Sequence, residues 1–130
     1  MTKARLSAGL ILTVCLIGVV QATAQHGGKA EPNRITFPNG KPSTTLTSRL
    51  SDGQEMEYVF SARKGQKVTL RNANTSRFDL RIFSKEFGVE TEFESSRVFT
   101  LPATGDYLLF VRKKAGGPRT ATFNVTLTIK

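Results

Sequence analysis

The chain has 130 residues, with 19 Lys and Arg against 10 Asp and Glu, a single His and a single Cys. That length suits one domain. One His and one Cys cannot form a Cys/His metal cage or an internal disulfide. No apolar run approaches the roughly 20 residues that a membrane-spanning helix needs.

The chain opens with Lys3 and Arg5, followed by an apolar run from Leu10 to Val20 that closes on Ala22-Thr23-Ala24. A charged start, a short apolar stretch and a small-x-small end predict a cleavable export signal over residues 1–24. Cys15 follows Val14, whereas a lipid-attachment signal has a small residue before its cysteine, so Cys15 belongs to the apolar run. The mature chain then has 106 residues and no cysteine. Lys3 and Arg5 leave with the signal, so 17 basic residues face 10 acidic ones and the net charge is +7. An exported basic domain favours a protein with an acidic cleft or an anionic envelope polymer, ahead of nucleic acid or membrane.

Residues 25–33 are polar and carry Gly and Pro, which predicts a loose N-terminal arm. Beyond them the apolar residues alternate with period two, the pattern of half-buried strands. Arg34 to Phe37 reads as a first strand, ended by Pro38-Asn39-Gly40. Residues 44–50 are rich in β-branched side chains, and Ser51-Asp52-Gly53 turns the chain. Tyr58, Phe60 and Ala62 alternate with polar neighbours up to the Lys64-Gly65 turn. Val68 with Leu70 and Phe78 with Leu80 and Ile82 continue the pattern. Residues 84–96 are acidic and less regular. Val98 to Leu101 is again strand-like, Pro102 to Asp106 a turn, Tyr107 to Val111 an apolar strand, Lys113 to Pro118 a basic loop, and Thr120 to Ile129 the closing strand.

About eight short strands with turns between them define an all-β fold, an antiparallel two-sheet β-sandwich over residues 34–130. Its expected core is Tyr58, Phe60, Val68, Leu70, Leu80, Ile82, Tyr107, Leu109, Val111, Phe123, Val125, Leu127 and Ile129. Leu108 and Phe110 fall on the other face of their strand. They mark either a partner surface, such as a homodimer contact, or cover by the 84–96 segment.

Little in the sequence suggests catalysis. His26 lies in the arm, where it cannot hold a substrate geometry, and no Ser-His-Asp set can be assembled without it. Glu86, Glu90, Glu92 and Glu94 are open to a Ca²⁺ or paired-carboxylate reading, but a calcium loop mixes Asp, Asn and Gly at closer spacing. A solvated strand edge is the plainer account. The sequence thus points to a non-enzyme without cofactor or metal. Arg112, Lys113, Lys114 and Arg119 crowd one Gly/Pro loop, either as a charged hairpin tip or as cations able to enter an acidic cleft.

Two stretches resemble a known family. Tyr58-Val59-Phe60-Ser61-Ala62-Arg63-Lys64-Gly65-Gln66-Lys67-Val68 is similar to a Y-x-F-x-A-basic-K-G-Q-K-V element. Leu101-Pro102-Ala103-Thr104-Gly105-Asp106-Tyr107, with Leu109 and Val111, is similar to L-P-A-[ST]-G-x-Y-x-L-x-V. Both elements, and the strand Phe123 to Ile129, resemble the bacterial periplasmic inhibitors of g-type lysozyme (PliG) and the wider pre-peptidase C-terminal β-sandwich group. Residues 72–97 fit poorly. The resemblance implies an inhibitor that plugs a lysozyme cleft with loops at one end of the sandwich. Arg119 matches a loop arginine of the family. Arg112, Lys113 and Lys114 would assist it, and Thr104, Gly105 and Asp106 would form a neighbouring loop. The family's second loop arginine falls near Ala115, its tyrosine before the Tyr58 strand falls at Gly53, and its loop is a few residues longer. The implied target is g-type lysozyme, with the invertebrate type as a related class. A module for anionic envelope polymer and a structural interaction domain are the alternatives.

Overall fold

The computed structural model describes residues 31–130. The expected signal peptide and residues 25–30 of the expected arm lie outside the described residues. Nine strands are present among the described residues: β1 (Asn33–Arg34), β2 (Ser43–Ser51), β3 (Glu55–Ala62), β4 (Lys67–Asn72), β5 (Phe78–Ser84), β6 (Val89–Glu90), β7 (Arg97–Thr100), β8 (Gly105–Lys113) and β9 (Thr120–Ile129). They form a five-stranded sheet in the order β1-β3-β8-β5-β6 and a four-stranded sheet in the order β2-β9-β4-β7. The two-sheet sandwich expected from the alternation is present, and the elements missing from that expectation are short. β6 is a two-residue strand inside the acidic segment. β1 is shorter than expected and pairs parallel with β3, the one departure from antiparallel pairing. Pro38-Asn39-Gly40 then forms a tight 3₁₀ turn.

Period-two alternation places the core. Tyr58 and Phe60 on β3, Tyr107, Leu109 and Val111 on β8, and Phe123, Val125 and Leu127 on β9 all point between the sheets and are buried. Every residue of the expected core is buried, joined by Ile35, Leu50, Ala62, Phe78, Val89 and Leu101. Aromatic rings link the sheets: Phe123 meets Tyr58 edge-on at 6.4 Å and Phe78 at 5.6 Å between centroids, geometries that add to the area they bury.

The 84–96 segment does reach the outer face of the five-stranded sheet, where Leu108 and Phe110 lie. Residues 91–94 run alongside β5, with Leu80 and Glu94 exchanging backbone hydrogen bonds of 2.7 and 2.9 Å. That brings Phe93 over the sheet. The Arg81 guanidinium carbon lies 5.1 Å from the Phe93 ring centre and 5.3 Å from that of Phe110, and Phe83 meets Phe110 edge-on at 6.3 Å. Leu108 and Phe110 are half-buried. Nothing here supports the homodimer expectation, and the chain's own Arg81 and Phe83 pack against Phe110. The one large hydrophobic side chain exposed among the described residues is Val98 on β7.

Candidate functional site

Strand β8 carries both halves of the site expected from sequence, and it separates them. It runs from Gly105 to Lys113, and at about 3.3 Å per residue its ends are roughly 26 Å apart. Thr104, Gly105 and Asp106 lie at one end of the sandwich, beside the β3–β4 and β5–β6 turns. Arg112, Lys113, Lys114 and Arg119 lie at the other, beside the β2–β3 turn and the β4–β5 loop. The expectation that they form neighbouring loops is corrected, since the full length of one strand stands between them.

At the first end each residue has a local task. Thr104 Oγ1 accepts from the Lys64 backbone N–H at 2.9 Å. Gly65 N–H donates to Leu101 O, and Leu101 N–H to Gln66 O, each at 2.8 Å. The Tyr107 hydroxyl donates to Ala103 O at 2.6 Å. The two motifs that carry the family resemblance thus bond to each other and build this end of the fold. Gly105 has φ of +153°, and a Cβ there would stand 2.5 Å from Cζ of Phe87. Asp106 accepts from Arg34 Nη2 at 2.7 Å and from Ser61 Oγ at 2.5 Å. The hydrogen bond from Arg34, reinforced by that from Ser61, holds the Asp106 carboxyl below the usual carboxylate range.

At the far end three connections are bonded into one unit. Asp52 N–H donates to Arg119 O at 2.9 Å, Lys113 N–H to Gln54 O at 3.0 Å, and Lys114 N–H to Arg77 O at 2.8 Å. The Arg77 guanidinium lies against Gly117, so close that a Cβ on that glycine would meet Nη1 at 1.9 Å, and Gly117 also has φ of +66°.

The four expected cations differ sharply in what they can do. Lys113 has the same strand parity as Tyr107, Leu109 and Val111, so its side chain turns inward and is fully buried. Its ammonium donates to the Asp52 carboxylate, to Lys114 O at 3.0 Å and to Gly116 O at 3.4 Å. Lys113 is a strut of the loop, which corrects its assignment as a docking residue. Arg112 lies on the outer face, donates to Asp79 at 2.9 Å and stacks 3.8 Å from the centre of the Phe93 ring. Lys114 approaches the same carboxylate at 3.3 Å and donates to Thr75 O at 3.1 Å. Asp79 is buried, so it draws both cations toward the sheet. Arg119 is exposed and has no ion pair among the described residues. With Ser51, Asp52 and Thr120 it lines a surface concavity. Its backbone is fixed by Asp52 while its guanidinium is free.

Asp52, Asp79 and Arg77 were not singled out by sequence. The acidic residues of the 84–96 segment are partly engaged: Glu90 pairs with Arg81 at 3.5 Å and Glu94 with Arg97 at 2.8 Å. Among the described residues no group of three metal-ligating side chains converges.

The architecture is that of a known class of bacterial β-sandwich. The pre-peptidase C-terminal domain of Bacillus anthracis collagenase aligns with a TM-score of 0.50 at 18% identity, over 77% of this chain and 95% of that one. Within the class the likeness extends to PliG, the periplasmic inhibitor of g-type lysozyme. The Salmonella Typhimurium protein aligns with a TM-score of 0.65 at 24% identity, over 77% of this chain and 99% of that one. The Aeromonas hydrophila protein gives 0.61 at 18%, over 76% and 96%. At these identities the likeness establishes a common fold. No protein-family model and no curated protein matches the chain.

Proposed function

We propose that this chain is an exported, non-enzymatic lysozyme inhibitor that occludes an acidic active-site cleft with the loop end bearing Arg119. One observation carries the reading: an arginine with a pinned backbone and a free guanidinium, on a fold shared with periplasmic inhibitors of g-type lysozyme. An arginine held this way loses little freedom on binding and can meet a carboxylate through two parallel hydrogen bonds. Arg112 and Lys114, half-exposed beside Asp79, add positive potential that speeds encounter more than it holds the complex. Lys113 keeps the loop in shape. The signal over residues 1–24 would deliver the protein to the periplasm. The target is g-type lysozyme, with the invertebrate type second, because Ala115 and Gly53 stand where the family has an arginine and a tyrosine.

The test is to titrate the secreted protein against g-, invertebrate- and c-type lysozymes and follow cell-wall lysis. Stoichiometric inhibition of one class, lost in Arg119→Ala, supports the reading. No inhibition of any class overturns it.

A further inference from the structure

Charge is divided between the two sheets. None of the 10 Asp and Glu lies on β2, β4, β7 or β9, the strands of the four-stranded sheet. The outer face of that sheet instead displays Arg49, Lys67 and Arg71, with Lys130 just beyond β9, all exposed. None of the four is in an ion pair among the described residues, whereas Arg34, Arg81 and Arg112 on the opposite sheet each have a carboxylate.

The register sets their spacing. Arg49 stands opposite Thr122 and Arg71 opposite Thr126, while Lys67 and Lys130 exchange backbone hydrogen bonds. Each cationic row is four residues from the next along β9, so at about 3.4 Å per residue the rows are roughly 14 Å apart. Short hydroxyl and amide side chains fill the space between. Ser43 pairs with Thr128 at 2.7 Å, Thr45 with Thr126 at 3.2 Å, and Thr47 donates to Asn124 Oδ1 at 2.8 Å. Each hydroxyl pair uses one O–H and leaves the other to donate, and Asn124 keeps both amide hydrogens. The face is rich in donors and cations, and its four strands carry no Asp or Glu.

We propose that this outer face is a second binding surface, for an extended anionic polysaccharide. A chain lying along the strands would meet three cationic rows and the hydroxyl donors between them. A lipid bilayer fits less well, because among the described residues Val98 is the one large apolar side chain exposed and offers little to insert. The surface is built from strand residues and does not include Arg119, and it would hold the protein on an anionic glycan while the loop end remains free.

Binding to polygalacturonate, a linear carboxylated glycan, is measured by calorimetry at low and high salt, with neutral dextran and phosphatidylglycerol vesicles alongside. The expected result is salt-sensitive binding to polygalacturonate alone, unchanged in Arg119→Ala. Combined Arg49→Ser, Lys67→Ser and Arg71→Ser should weaken it about tenfold, from three exposed charge contacts together. Removing the same charge elsewhere, by Arg63→Ser, Lys64→Ser and Lys85→Ser, should weaken it less than about threefold, through long-range charge alone. Arg71→Glu by itself should weaken it as well. Equal losses in the two triple variants, vesicle binding as tight as glycan binding, or no glycan binding would each overturn the proposal.

Discussion

The buried ammonium of Lys113, at the end of β8, is bonded to the carboxylate of Asp52 in the β2–β3 turn. Only the lysine is enclosed, since Asp52 is 41% exposed. The two halves of the pair should therefore fail differently. Asp52→Asn leaves a buried positive charge with carbonyl acceptors alone and should cost about 2–4 kcal/mol. Lys113→Met leaves a carboxylate that can turn to water, and should cost about 1 kcal/mol. Urea unfolding of both variants checks the order, and equal small losses would show that the pair does not brace the loop.

That relationship also shows where sequence reading stops. The alternation of Tyr107, Leu109 and Val111 placed the core correctly, and continuing it by two residues points Lys113 inward. A lysine beside Arg112 and Lys114 reads as loop charge, because a basic run signals solvent unless an acidic partner is visible. That partner, Asp52, is 61 residues away in sequence and is brought near by strand pairing alone. Asp79 was hidden for the same reason, since its polar character assigned it to the exposed face that Phe93 and two cations in fact cover. The family resemblance implies that Thr104 to Asp106 neighbour the basic loop, yet the two flank β8 at opposite ends, and a strand's two ends are the points it holds farthest apart. The motifs were the most legible part, because their residues serve turns and core.

Arg119 separates binding from stability. Its guanidinium has no ion pair within the described chain and its residue is exposed, so Arg119→Ala should change stability by less than about 0.5 kcal/mol. If the guanidinium enters a desolvated pair in a lysozyme cleft, the same change should weaken binding by about 2–5 kcal/mol, mostly through faster dissociation. Arg119→Lys should recover only part of the loss, because an ammonium cannot make the paired hydrogen bonds. Surface plasmon resonance beside thermal unfolding reads both quantities, and unchanged affinity in Arg119→Ala would remove this residue from the interface.

Gly105 tests the first end of the sandwich. Its Cβ would stand 2.5 Å from the tip of Phe87, a ring that itself packs 5.3 Å from Tyr107. Gly105→Ala should destabilise the protein by about 1–3 kcal/mol, combining overpacking with a backbone conformation that side chains disfavour. Phe87→Ala removes the steric part, so the double variant should be less destabilised than the sum of the singles. Additive losses would assign the whole effect to the backbone. On the proposed function, inhibition should persist in any of these variants that remains folded, since this end lies a strand's length from Arg119.

Asp106 gives the fold a defined acid sensitivity. Hydrogen bonds from Arg34 and Ser61 lower its folded-state titration below the ordinary carboxylate value. The stabilisation is therefore complete above the unfolded value of about 3.9 and is lost as pH falls through the lower folded value. Asp106→Asn should be slightly less stable than the parent at neutral pH, and the gap should close below about pH 4 as the parent carboxylate takes up its proton. Both groups are half-exposed, so concentrated salt should narrow the gap at neutral pH. Calorimetric Tm values from pH 2 to 7 at two salt concentrations follow this directly. A gap independent of both pH and salt would mean that the neutral hydrogen bond with Ser61, and not the charge of Asp106, secures this end of the β3–β8 pairing.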